Sequence, residues 1–375
     1  MEKIKLKKGR EFNVTNRHPW IFSGALALNP THLPDGTFIH IEDSEGNHLG
    51  TGHYFNKSIA IKVTSFKNEP LIDEVSLLNQ RIIAAHNIRK ALISEKSANA
   101  YRLFNAEGDF FPGLIIDAYN NTFVIEPHSS AIERLFPEIT NVLKKLFPNS
   151  EIICKGAHNP EEKETKIYEN NIQYFVNVTS GQKTGFFLDQ RDNRKIVQEI
   201  SQDKSVLNTF SYTGGFSLNA LQGGATKVVS VDSSASALEL LERNITLNSF
   251  DAQKHTSVKL DCFDYLGEEK NCYDVVILDP PALAKIKDAK KNALKAYERL
   301  TAAGVRRCNK NGILFTFSCS GHVSDTEFYE TVVNGCRNAE RNIRILKTLG
   351  PGVDHPTSVF HDEGRYLKGL MLLVE

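Results

Sequence analysis

The pattern of apolar residues changes character twice along the chain. Up to about residue 68, short alternating stretches such as Phe38-Ile39-His40-Ile41 and Ile59-Ala60-Ile61-Lys62-Val63 are broken by Pro34-Asp35-Gly36 and Glu45-Gly46-Asn47. Period-two alternation between closely spaced turns predicts a small all-β barrel. A helix is expected next, about Leu71–Ser94, with Leu78, Ile82, Ala85 and Ile88 on its apolar side. Strand candidates then fall at Tyr101–Asn105, Leu114–Ala118, Thr122–Glu126, Glu151–Lys155 and Ile172–Val178. The strong helical repeat among them is Ala131–Leu146, apolar at Ile132, Leu135, Phe136, Ile139, Val142, Leu143 and Leu146. This stretch is expected to form a small α+β layer, strand–strand–helix–strand–strand.

From about residue 185 the rhythm becomes strand–helix alternation. Strands are expected at Ser205–Phe210, Lys227–Val231, Thr256–Leu260, Tyr273–Leu278, Gly312–Phe317, Ile343–Leu349 and Leu367–Val374. Helices fall between them, notably Ala235–Asn248 and Ala289–Asn309. Buried apolar runs alternating with helices predict a doubly wound, Rossmann-like α/β sheet. No helix is evident between the last two strands, so they are expected to pair antiparallel at one edge. The expected domains are 1–68, 69–180 and 181–375.

Composition narrows the class only a little. The 375 residues are 41% hydrophobic and 24% charged, with a net charge of zero, as in ordinary globular proteins. No apolar run approaches the roughly 20 residues of a membrane helix, and the first residues lack the apolar core of a secretory signal. The six cysteines are scattered, with no CxxC pair and no Cys/His cluster. Reduced thiols in a cytoplasmic protein are therefore expected, and no metal site. Local charge is less even than the total. Lys3, Lys5, Lys7, Lys8, Arg10 and Arg17 crowd the first residues, and Lys285, Lys287, Lys290, Lys291, Lys295, Arg299, Arg306 and Arg307 crowd 285–307. Each is either a solvated face or a patch for nucleic-acid phosphate.

The candidate chemistry lies at the ends of the expected strands. Asn208–Ser217 reads as a strand, a glycine turn at Gly214-Gly215 and a helix start. The G-x-G-x-x-G fingerprint is missing, which disfavours a dinucleotide pyrophosphate. Asp232 ends the next strand, where a carboxylate can accept both hydroxyls of a ribose; the glycine turn favours that reading over a cap for the helix beginning near Ser233. Asp261-Cys262-Phe263 follows the third strand. The carboxylate could accept an adenine amine with Phe263 against the ring, although Asp after a strand is also common turn chemistry. A ribose site and an adenine site without a pyrophosphate site suggest S-adenosylmethionine.

Asp279-Pro280-Pro281 and Phe317-Ser318-Cys319-Ser320 end two further apolar runs. A right-handed crossover would make those strands neighbours, opening on the same sheet edge. Pro280 pushes Asp279 into an extended conformation. Cys154, Cys272, Cys308 and Cys336 read as small buried apolar residues. Cys319 differs, because serines flank it and it stands where its strand leaves the core. A thiol and a carboxylate in one cleft suit covalent chemistry on a pyrimidine.

Asn208–Ser217, Ser230-Val231-Asp232, Asp279-Pro280-Pro281, Phe317–Gly321 and Tyr366-Leu367-Lys368-Gly369 together resemble a bacterial family of class I methyltransferases. These are the PUA-domain 23S rRNA (cytosine-C5)-methyltransferases of the large-subunit methyltransferase I type. Lys8-Gly9-Arg10 and His18–Ala25 resemble the PUA signature, and Lys183–Arg191 resembles the family's lead into its catalytic domain. The resemblance implies a PUA barrel, a central α+β domain, a Rossmann-like methyltransferase domain and a homodimer. It implies Cys319 as nucleophile on cytosine C6 and Asp279 beside it. It places Phe187, Gln190, Arg191, Phe210, Tyr212, Thr213, Gly214, Asp232, Ser233, Asp261, Cys262, Phe263 and Asp279 around the cofactor. Lys8, Arg10, Arg17, His18, Trp20, Lys285 and Lys287 would meet 23S rRNA, Lys285 through a backbone phosphate. Phe186-Phe187 departs from the two tyrosines common in the family. The competing readings are methyl transfer to another atom, such as guanine N7, which needs no thiol, and a cofactor-binding assembly factor without catalysis.

Overall fold

The computed structural model describes residues 1–156, 162–284 and 286–375. The chain divides into two compact units. The first comprises 1–165, 176–186 and 353–364; the second comprises 166–175, 187–352 and 365–375.

In the first unit, the alternating stretches form a five-stranded sheet in the order Glu2–Lys5, Thr37–Glu42, His48–Tyr54, Ile59–Phe66, Trp20–Phe22. Ile4, Leu6, Ile21, Ile39, Ile41, Ile61 and Val63 point into one buried core, the inner face of the alternation. The helix after it runs Glu74–Leu92, later than expected, because the Asp73 side chain caps it by accepting from Ser76 N. A second sheet has the order Ala100–Asn105, Leu114–Tyr119, Thr122–Pro127, Glu151–Cys154. Three strands precede its helical segment, as the separate candidates place them, rather than the two of the expected strand–strand–helix–strand–strand grouping. That segment is two helices, Ser130–Arg134 and Phe136–Leu146, separated at Leu135, with Pro137 in the first turn of the second. Proline lacks the N–H that a continuous helix would need there, and a first turn tolerates it. The strand Ile172–Asn177, most of which belongs to the second unit, lies outside this sheet and forms a hairpin with Glu164–Glu169. The mostly polar sequence of that partner hid it from an apolar-pattern reading.

The second unit is built on seven strands: β1 Ser205–Thr209, β2 Lys227–Asp232, β3 His255–Lys259, β4 Tyr273–Leu278, β5 Cys308–Ser318, β6 Ile343–Leu349 and β7 Lys368–Val374. Their order is β3-β2-β1-β4-β5-β7-β6. The first five are parallel, and β7 is antiparallel to both β5 and β6. The helices are α1 Arg191–Ile200, α2 Gly215–Gln222, α3 Ala235–Leu247, α4 Cys262–Glu268, α5 Lys290–Arg306 and α6 Asp325–Asn338. Leu207, Val229, Val231, Val276, Leu278, Leu314 and Leu372 fill the core around the sheet. Gly369 permits one close approach. It pairs with Phe317 across the β5–β7 ladder, and a Cβ there would lie 2.4 Å from the Phe317 ring. The strand order reverses between β1 and β4, so their carboxyl ends open a crevice where α/β proteins bind ligands.

Candidate active site

The loop leaving β1 is held in a costly shape. Phe210 has φ 55°, Tyr212 φ 47° and Gly214 φ 86°. Left-handed backbone costs a non-glycine residue roughly 1–3 kcal/mol and persists where surroundings over-determine it. Here they do. Phe210 N donates to Cys262 Sγ at 3.1 Å, Ser211 N to Val231 O at 3.0 Å, and Tyr212 N to Asp232 Oδ2 at 2.8 Å. A Cβ on Gly214 would lie 2.6 Å from Leu241 Cγ, so glycine is required by packing as well as by φ. Thr213 is buried beside it.

The other Asp232 oxygen, Oδ1, accepts from Ser234 N at 2.9 Å, and Ser234 caps α3 while Ser233 is exposed. Asp232 thus anchors the β1 loop and the lead into α3 at once. Asp261 caps α4, its Oδ1 accepting from Phe263 N and Asp264 N. Cys262 is buried, donates to Val231 O, and burial pushes its thiol up to about 12. It braces the site as a neutral thiol. Phe210 and Phe263 meet edge to face at 6.1 Å, and Phe187 and Tyr212 at 5.3 Å.

On the other side of the crevice, β4 and β5 pair in register through Leu278↔Thr316, so Asp279 leaves β4 level with Phe317, and Cys319 follows two residues later at the same sheet edge. The Cys319 thiol lies 3.7 Å from Pro280 O, and both Cys319 and Asp279 are partly exposed. Gln190, buried at the start of α1, donates Nε2 to Asp279 Oδ1 at 3.0 Å, and Asn193 donates to Gln190 Oε1 at 2.6 Å. That bond fixes which way the Gln190 amide faces. Arg191, also buried, pairs with Asp192 at 3.3 Å. The serines beside Cys319 are both buried. Ser320 Oγ accepts from Ala284 N at 3.2 Å and bonds Tyr297 OH of α5 at 3.0 Å.

Sequence reasoning brought these residues to one edge but left the supporting roles of three residues unassigned. Tyr297 lay hidden in the apolar face of α5. Gln190 was assigned to the cofactor and bonds the carboxylate. Lys368 is a lone cation in the run Lys368–Val374; a buried charge in such a strand is the signal that could have found it.

The expected RNA contacts divide. Lys8 and Arg10 are exposed. Arg17 pairs with Glu69 at 3.3 Å and lies over Phe66, while Trp20 donates to Glu107 at 3.0 Å and packs on His361 at 4.5 Å. His18 bonds Glu363 at 3.4 Å. These three are engaged within the first unit. Lys285 lies outside the described residues, and Lys287 begins a short 3-10 turn before α5.

Among the described residues, no group of three or more His, Cys, Asp or Glu is arranged to hold a metal ion, and no helix is long and apolar enough to cross a membrane. The edge does suit S-adenosylmethionine. A carboxylate oxygen accepts more than one hydrogen bond, so Asp232 retains acceptor capacity, and both backbone bonds to Asp261 fall on one of its oxygens.

Fold and edge together define a class I S-adenosylmethionine-dependent methyltransferase. Residues 142–304 match the S-adenosylmethionine-dependent methyltransferase family and residues 4–66 the PUA-like domain. The chain is 37% identical over 391 residues to ribosomal RNA large subunit methyltransferase I of Tolumonas auensis, with 98% of each chain covered. It is 33% identical over 391 residues to the protein of that name from Escherichia coli, again with 98% of each covered. Among solved structures it superposes on that of SMU.776 complexed with SAH, with TM-score 0.86, 25% identity and full coverage of both chains. The chain belongs to the ribosomal RNA large subunit methyltransferase I family.

Proposed function

We propose that this protein methylates C5 of a cytosine in 23S ribosomal RNA, with Cys319 as nucleophile. The observation that carries the reading is the placement of the Cys319 thiol, partly exposed, 3.7 Å from the carbonyl that follows Asp279, at the ends of adjacent parallel strands. The relatives' name supplies the ribosomal substrate class, and the thiol selects the atom.

S-adenosylmethionine, when bound, supplies an electrophilic methyl on sulfonium. Asp232 would hold its ribose, Asp261 its adenine amine, and Phe263 its ring. Phe187, Gln190, Arg191, Phe210, Tyr212, Thr213, Gly214, Ser233 and Cys262 would complete the wall or brace it. Cytosine C5 is a poor nucleophile until C6 is attacked. The Cys319 thiolate forms the C6–S bond, and the ring electrons move towards C5. Asp279 bonds the N3–N4 edge and steadies the charge that develops there, with Gln190 holding the carboxylate in place. C5 then takes the methyl as the sulfonium S–CH3 bond breaks and leaves a neutral thioether. Loss of the C5 proton to a base lets the C6–S bond break, returning the thiolate and the ring double bond. Covalent catalysis divides one hard step into easier ones.

The base must leave any stack to reach the thiol, so the target is extruded or single-stranded. Lys8 and Arg10 would contact phosphate from the barrel, as would Lys285 and Lys287 from the sequence before α5, and a homodimer is the expected assembly. The domains proposed are 1–68, 69–180 and 181–375. Bisulfite sequencing of ribosomal RNA from cells with and without the gene tests the reading. One cytosine should lose its signal and regain it with the wild-type gene but not with Cys319→Ala. Restoration by Cys319→Ala would refute it.

A further inference from the structure

We propose that Lys368 is a positioning residue for this reaction: its buried ammonium, clamped to the loop that bears Cys319, favours the thiolate. The inference rests on the covalent reading of Cys319 given above. Lys368 pairs with Ser318 in the antiparallel β5–β7 ladder, so it stands across from the residue preceding the nucleophile. It is only 6% exposed. Its Nζ donates to Ser320 O at 3.2 Å, Arg365 O at 3.2 Å and Tyr366 O at 2.9 Å.

Three acceptors match the three hydrogens of an ammonium. Neutral carbonyls satisfy those donors without cancelling the charge. A charge left whole away from solvent acts strongly on its ionisable neighbours. The charged and ionisable groups that act on Lys368 include Asp325 and Glu327 at the start of α6, Arg365 before β7, and Cys319 after β5. Asp325 pairs with Arg365, and Glu327 with Lys290, so each carboxylate has a cation of its own. Tyr297 faces the loop from α5 as a phenol whose pKa burial raises, so it stays neutral. Asp279, on the adjoining loop, opposes the thiolate, and Gln190 takes up part of its charge. Among these, Cys319 carries the side chain whose ordinary pKa, about 8.5, lies nearest neutrality. Burial lowers the Lys368 pKa from its ordinary value, while Asp325 and Cys319 pull it up. The carbonyl cradle requires the protonated form, which argues against Lys368 as the base that removes the C5 proton.

The test is the pH dependence of Cys319 alkylation by iodoacetamide, read by mass spectrometry of its peptide, in the full-length wild type, Lys368→Met and Lys368→Arg. S-adenosylmethionine binding by calorimetry confirms that each variant is folded. The wild-type midpoint should lie below the ordinary thiol value of about 8.5. Lys368→Met should raise it by about one unit, and Lys368→Arg should keep it low. A wild-type midpoint at or above about 8.5 overturns the proposal without any variant. So does an unchanged midpoint in Lys368→Met that still binds cofactor. The readout needs no RNA, so the two failures separate. Methylation surviving in Cys319→Ala removes the covalent reading and this role with it. An unshifted thiol alongside an inactive Cys319→Ala removes only the role of Lys368.

Discussion

The two halves of the crevice are held by different means. Around β1, β2 and β3, the groups proposed for the cofactor are fixed mainly by backbone N–H bonds: Asp232 by Tyr212 and Ser234, Asp261 by Phe263 and Asp264. Around β4, β5 and β7, the proposed reacting pair is held by side chains from distant parts of the sequence: Gln190 on Asp279, and Tyr297 and Lys368 on the loop of Cys319. Backbone bonds give the first half a fixed shape that a rigid ligand can fill. Side-chain bonds let the second half tune a thiol and a carboxylate that would change partners in the proposed reaction.

Substitutions can break this contrast, beginning with the largest effect. Cys319→Ala should lower RNA methylation by at least about 1,000-fold while leaving the calorimetric Kd for S-adenosylmethionine within about twofold. Asp279→Asn should lower single-turnover methylation by about 100-fold. If either weakened cofactor binding as much as it weakened turnover, the halves would not be separable. On the other side, Asp232→Ala should raise the cofactor Kd by about 10- to 100-fold, since a bond to a charged acceptor contributes about 1.5–3 kcal/mol. Its effect on turnover at saturating cofactor should be much smaller. Tyr297→Phe removes one hydroxyl from the Cys319 loop and should cost about 0.5–1.5 kcal/mol in denaturant unfolding with cofactor affinity unchanged.

Acid should act least selectively. Burial lowers the pKa of His53 in the first unit and of His255 in the second. The unfolded chain takes up protons at these residues near pH 6.5, whereas the folded chain resists them. Stability should therefore fall as pH drops below about 6.5 and be regained on returning to neutral. Thermal unfolding at pH 7.5 and 5.5 measures this, and equal stability would contradict the assigned direction.

The contrast also explains what could be read from the sequence. Asp232, Asp261, Asp279 and Cys319 each end an apolar run, so a one-dimensional pattern places them on one edge. Their supports are long-range. Nothing near Lys368 in sequence points to Ser320, and nothing near Gln190 points to Asp279. Asp232 and Asp261 also show that capping and ligand binding need not compete, because a carboxylate has lone pairs for both. Glu164–Glu169 escaped notice because a mostly polar strand gives little apolar periodicity. The break at Leu135 escaped because the apolar spacing continues through it, and Pro137 marked it. Arg17, His18 and Trp20 look in sequence like an exposed basic and aromatic patch, yet they bond Glu69, Glu363 and Glu107.

The central claim is a bond between sulfur and carbon, and RNA bearing 5-fluorocytidine at the target position tests it most directly. Fluorine cannot leave as a proton does, so the adduct should persist once the methyl has been transferred. With S-adenosylmethionine present, a stable protein–RNA species should form, with the added mass on the peptide containing Cys319, and none should form with Cys319→Ala. Normal RNA methylated at full rate while the fluorinated RNA yields no adduct at Cys319 would contradict the account.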